Sequence, residues 1–162
     1  MILPPALHGP PDISGAEAMS LPYENATSGD KAFAEIQKIL GRFGCDNYGI
    51  MHKAKEQITL VQFEHCGRTV QLPGHWGGYA SAWLREHPHS SRMRSTPDEH
   101  RQKAADIAQI AVCSMLRDWV KAQVTAVECQ LMTFEEVFMP HMLLPDGRRM
   151  VEAAQKMLPP AQ

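Results

Sequence analysis

The stretch that most constrains this chain begins at "TPDE", residues 96–99, and runs to Glu128 with no glycine or further proline to interrupt it. Thr96 stands where an N-cap hydroxyl accepts a free backbone N–H. Pro97 suits the first helical position, whose N–H would be unpaired anyway, and Glu99 can reach back to close a capping box. Ala108, Val112, Met115, Leu116, Trp119, Ala122 and Ala126 then recur at helical spacing and trace an apolar stripe. A long helix is predicted over 97–128, and the rest of the chain has to supply the surfaces that cover its stripe.

Upstream, "SGDKAFAEIQKILGRFG" reads as a first helix. Ser28 or Asp30 caps its start, Ala32, Phe33, Ile36, Ile39, Leu40 and Phe43 form its buried face, and Gly44 ends it in a left-handed conformation. From 47 to 72 the period changes to that of strands. "NYGIMHKA", "ITLVQFEH" and "RTVQL" are β-prone runs separated by short turns, which predicts a three-stranded antiparallel meander with Thr59, Val61 and Phe63 sharing one face. Residues 73–96 combine glycines, prolines, histidines and two tryptophans, and read as a long loop insertion with a possible short helix over "YASAWLRE". Downstream, "TFEE" repeats the capping-box signal, with Thr133 answered by Glu136, so a short helix is expected from Phe134 to about Met139, stopped by Pro140. "HMLL" then suits a brief edge strand, Pro145-Asp146-Gly147 a tight turn, and "RRMVEAAQKML" a last helical segment.

These elements predict an α+β fold, a small three-stranded antiparallel sheet packed against the long helix and the N-terminal helix. A chain of 162 residues, 44% hydrophobic, is large enough for one such core. Residues 1–27 carry five prolines and no sustained period and are expected to form an irregular arm, leaving 28–158 as a single domain. No apolar run approaches the ~20 residues that span a bilayer, and the N-terminal segment lacks a basic leader, so a soluble, cytoplasmic protein is expected. Cys45, Cys66, Cys113 and Cys129 are too few and too scattered for a disulfide framework and are expected as free thiols.

Candidate chemistry is sparse. There is no G-x-S-x-G elbow and no phosphate loop. His75, His87, His89 and the His65-Cys66 pair are possible metal ligands, and a small metal-dependent enzyme is one reading of them. No pair has helical i,i+4 spacing, so solvated loop histidines are the preferred one, and neither metal nor cofactor is expected. Glu135 and Glu136 are better explained by a capping box than as paired catalytic carboxylates, because adjacent helix residues face apart. The basic residues Lys38, Arg42, Arg92, Arg94, Arg148 and Arg149 would make a phosphate-contacting face if the fold gathered them, with Trp76, Tyr79 and Trp83 stacking on exposed bases. Against this stands a net charge of -2, with no global basic field.

Four stretches in order, "RFG" (42–44), "VQFEHCGRTVQLP" (61–73), "LRDWVKAQVTAVE" (116–128) and "TFEEVF" with "LPDGR" (133–138 and 144–148), resemble a family of small uncharacterised proteins encoded by bacteriophages and prophages. The resemblance spans about half the chain and implies a phage or prophage origin and a bacterial host cell. It implies no activity. Members often open the long helix with an arginine-rich, tryptophan-containing turn, whereas this chain has "AQIAVCS" at 108–114, so the resemblance does not extend to a basic surface there. The order helix, three strands, helix is similar to that of double-stranded-RNA-binding domains in topology only. The functional expectation is a non-enzymatic accessory protein that binds nucleic acid or a protein of phage DNA metabolism. The alternative is an inhibitor of a host defence complex that uses the 73–96 tryptophans as anchors. A homodimer through the long helix is compatible with either.

Overall fold

A computed structural model describes residues 20–161 of the chain; most of the expected N-terminal arm, residues 1–19, lies outside them. Helix α1, Gly29–Phe43, starts at Ser28, whose hydroxyl accepts from the Lys31 N–H at 3.2 Å. It ends at Gly44, whose φ of 90° any side chain would resist. Strands β1 (Asn47–Lys53), β2 (Ile58–His65) and β3 (Arg68–His75) form an antiparallel sheet in the order β1-β2-β3. Registers Ile50↔Val61↔Leu72 and Tyr48↔Phe63↔Val70 put the apolar rows on one face, where Val61, Phe63 and Val70 are fully buried. The opposite face carries Gln62 and Gln71, hydrogen-bonded to each other at 2.8 Å. No described helix packs on that face.

Helix α3, Pro97–Glu128, starts with the predicted capping box and runs through the middle of the structure. It packs against α1, against helix α2 (Gly77–Glu86) and against the sheet. Burial therefore wraps more of α3 than a single stripe. Ala111, Val112, Cys113 and Ser114 are buried in succession, Val120 and Val124 are its deepest branched side chains, and the expected stripe residue Ala122 is exposed. At Gly74 the sheet lies close against α3: a Cβ there would lie 2.7 Å from Val112 Cγ1 and 2.9 Å from Leu116 Cδ1.

The expected loop at 73–96 is corrected, although the short helix allowed for over residues 79–86 is present within α2. β3 continues through Pro73 to His75, α2 follows after Trp76, and only residues 87–96 connect it to α3. The proline is tolerated because β3 is an edge strand for most of its length. The C-terminal part follows the predicted order with one reduction. Helix α4, Phe134–Phe138, passes into a 3-10 turn, Met139–His141, and the expected "HMLL" strand is only a pair of bridges, Val70↔Met142 and Leu143↔Arg149. Gly147, at φ +84°, turns the chain into helix α5, Met150–Ala154. Phe138 is fully buried and meets Phe63 and Trp119 edge-on at 5.4 and 5.9 Å, joining this cap to the main core. All four cysteines are free, with Cys45 and Cys113 buried and Cys66 and Cys129 exposed. No described helix is long and apolar enough to cross a membrane.

Candidate functional site

Two short helices joined by a tight turn build the most distinctive surface. The Glu136 N–H donates to Thr133 Oγ1 at 3.2 Å and the Thr133 N–H to Glu136 Oε2 at 2.7 Å, so the capping box fixes how α4 leaves α3. The turn is held by the Arg148 N–H donating to Asp146 Oδ1 at 3.0 Å and by the Leu144 N–H donating to the Arg148 carbonyl at 2.8 Å. The Arg149 N–H then donates to Glu152 Oε2 at 3.0 Å as α5 begins. Arg68 ties α4 to the sheet through Glu135 at 2.8 Å.

Between α4 and α5 these bonds leave a groove of about 490 Å³ walled by Met139, Pro140, Met150, Val151 and Ala154. Its charged lining residues are Glu135 and Glu136, with no cation among them. Glu136 also borders a second hollow with Leu131 and Met132, which are 75% and 52% exposed. Met157 and Leu158, 86% and 67% exposed, follow α5. An exposed apolar surface of this extent, rich in flexible thioether side chains, is what a binding face needs. Chemically it offers methyl and thioether contacts beside two carboxylates.

The sequence-predicted site residues are not brought together. Trp76 and Trp83 are 8% and 4% exposed, packed between α2 and α3, so the expectation of exposed stacking aromatics or tryptophan anchors is corrected. Tyr79 lies beside them and donates its hydroxyl to the Pro22 carbonyl at 2.6 Å. Arg42 pairs with Glu128, Arg148 with Asp146 and Arg149 with Glu152. Arg42 is thus tied to the C-terminal end of α3, while Arg92 and Arg94 are exposed in the connection before its N-terminus. At roughly 1.5 Å per residue, the length of that helix keeps them about 45 Å apart along its axis. Lys38 is exposed on α1. The result is dispersed charge, half of it paired, which lacks the continuous track a phosphate backbone requires.

The histidines do not form one site: His87 and His89 gather with His100 around Trp83, while His65 and His75 lie elsewhere. His65 stacks on Phe43 at 4.3 Å, His89 faces the Ser95 carbonyl at 2.7 Å, His87 faces Glu24, and His75 is exposed. Among the described residues no three His, Cys, Asp or Glu side chains are grouped to hold a metal ion. His141 lies edge-on to Trp119, and burial, then the Arg149 charge, holds its pKa below the usual imidazole range. Burial also pushes the Cys45 and Cys113 thiols up to about 11, which keeps both protonated and unreactive.

One signal for α2 was present in the sequence. Trp76, Tyr79, Ala80 and Trp83 recur at 3, 4 and 7, an inward stripe hidden behind the helix-weakening Gly77-Gly78 pair. The groove had no such signal, because its walls come from segments whose geometry depends on the intervening turn. Comparison with family models, with curated proteins and with solved structures finds no match to this chain.

Proposed function

We propose that this chain is a non-enzymatic accessory protein, of bacteriophage or prophage origin, that works by binding another protein through the α4–α5 groove. The observation that carries this reading is the groove itself, apolar and methionine-rich, with Glu135 and Glu136 as its charged residues. The occupant it fits is a short amphipathic helix of a host or phage protein, with apolar anchors flanked by lysine or arginine. Charge argues against two other occupants. Residues 1–19 carry Asp12 and Glu17 and neither lysine nor arginine, and a second copy docked about a two-fold axis would set these carboxylates against their own equivalents. The phage origin rests on the resemblance of the sequence stretches given above.

The test is fluorescence anisotropy with a labelled amphipathic helical peptide bearing flanking lysines, and with the same peptide bearing glutamates in their place. The lysine peptide is expected to bind at least tenfold more tightly, and Met139→Glu, at a 43% exposed position that leaves the core untouched, is expected to abolish binding. Equal binding of both peptides, or wild-type binding by M139E, would overturn the assignment. Steeply salt-dependent binding of DNA or RNA without peptide binding would return the function to nucleic acid.

A further inference from the structure

Residues 20–27 cross α2 and α3 without burying any apolar side chain of their own, and only the Glu24 carboxylate reaches below the surface. Polar bonds hold them instead. Tyr23 Oη donates to Asp118 Oδ2 at 2.8 Å, Tyr79 Oη to the Pro22 carbonyl at 2.6 Å, and Trp83 Nε1 to Glu24 Oε1 at 3.1 Å. His87 Nε2 faces the same Glu24 oxygen at 2.9 Å. A segment tied down in this way belongs to the low-stability end of a fold, yet it lies over Trp83, one of the most buried aromatics of α2.

The proton count at His87 is decisive. Its Nδ1 lies 3.1 Å from the Trp83 carbonyl and its Nε2 lies 2.9 Å from the Glu24 carboxylate. Both partners are acceptors, and a neutral imidazole has a single N–H to offer. Only the imidazolium donates to both. If deprotonation leaves the hydrogen on Nε2, the bond to Glu24 survives without its charge while a lone pair turns toward the Trp83 carbonyl. If it leaves the hydrogen on Nδ1, a lone pair faces the carboxylate. Either outcome weakens the clamp, since charge-assisted bonds are roughly twice as strong as neutral ones.

We propose that residues 20–27 form a pH-sensitive strap, clamped over Trp83 by doubly protonated His87 and loosened when that ring loses a proton. The surroundings bear on the ring from every side. Glu24 faces the ring, Lys103 holds its Nζ 5.9 Å from the Trp83 ring centroid on which His87 stacks, and His100 and His89 lie on the α3 side. His100 Nε2 donates to the His87 carbonyl at 2.6 Å and so fixes the backbone from which the ring projects. Arg85 and Glu86 flank it on α2, and Arg117 and Asp118 lie at the Tyr23 end. The clamp needs a protonated His87 and an ionised Glu24 together, and it loosens when either condition fails.

Hydrogen exchange on the full chain tests this. The readout is the protection of a peptide covering residues 20–27, corrected for intrinsic exchange rates. Between pH 5.5 and pH 8 the wild type is expected to lose protection by about threefold to fivefold, the ratio set by losing charge assistance in one bond. His87→Gln and Glu24→Gln are expected to start lower and stay flat, while His89→Gln keeps the wild-type profile. A flat wild-type profile would overturn the proposal. So would a His87→Gln protein that retains the slope, or a slope that disappears in His89→Gln alone.

Discussion

Two covers of α3 are held by opposite means. Toward its C-terminus, α4 and the following turn insert Val137, Phe138 and Met142 into the main core, where Phe138 sits between Phe63 and Trp119. On the α2 side of α3, the outermost layer is the 20–27 strap, which is held to Asp118 and to α2 by hydrogen bonds and an ion pair and contributes no buried apolar side chain. Apolar closure holds its geometry across conditions because it depends on area removed from water. Polar closure depends on who carries the proton. The same helix thus supports both a rigid platform for the groove and a condition-sensitive cover.

The sharpest way to break the comparison is Phe138→Ala. It should destabilise the protein by about 3–5 kcal/mol in urea or thermal unfolding, because a fully buried ring leaves a cavity between two elements that cannot close on each other. A loss below about 1 kcal/mol would mean that the C-terminal cap is as loosely held as the strap. Thr133→Ala is the milder cut. Removing one half of the capping box should cost about 0.5–2 kcal/mol, and peptide affinity at the groove should fall with it, because the cap sets the direction of α4. Unchanged stability with lost binding would instead identify Thr133 as a contact residue.

The smallest effect is a pH dependence of opposite sign at the two covers. Because His141 has a folded-state pKa below its unfolded value, the unfolded chain takes up the proton more readily. The stability this contributes is complete above the unfolded pKa, near ~6.5, and is lost as pH falls from there through the folded value. The urea midpoint should therefore be lower at pH 5.5 than at pH 7.5, and His141→Gln should reduce that difference. Over the same descent the strap gains protection. Parallel changes at both covers would remove the distinction.

Most of the fold could be read from the sequence because its signals are local. The capping boxes at Thr96 and Thr133, the Gly44 stop and the alternation around Val61 each depend on residues within a few positions of one another. The α+β arrangement of three antiparallel strands against α1 and α3 follows from them. What could not be read depends on tertiary placement. Trp76 and Trp83 have the composition of exposed anchors, and only the packing of α2 on α3 turns them inward. Arg42, Arg148 and Arg149 look like a basic patch until the turn and the helix ends supply Glu128, Asp146 and Glu152 as partners. The groove was the least legible, since neither Met139 nor Val151 identifies it without the turn at Gly147.

The cysteines make the two closures separately observable. Cys66 and Cys129 are exposed and open to a thiol reagent in the folded protein, whereas Cys45 and Cys113 are buried and protonated. Cys45 belongs to the cluster that holds Phe138, while Cys113 lies beneath the start of α1, its Sγ 3.7 Å from where a Cβ on Gly29 would be. With the two surface thiols blocked, the labelling rates of the remaining pair become two clocks in one molecule, one keeping time for the rigid cover and one for the ground on which the strap rests.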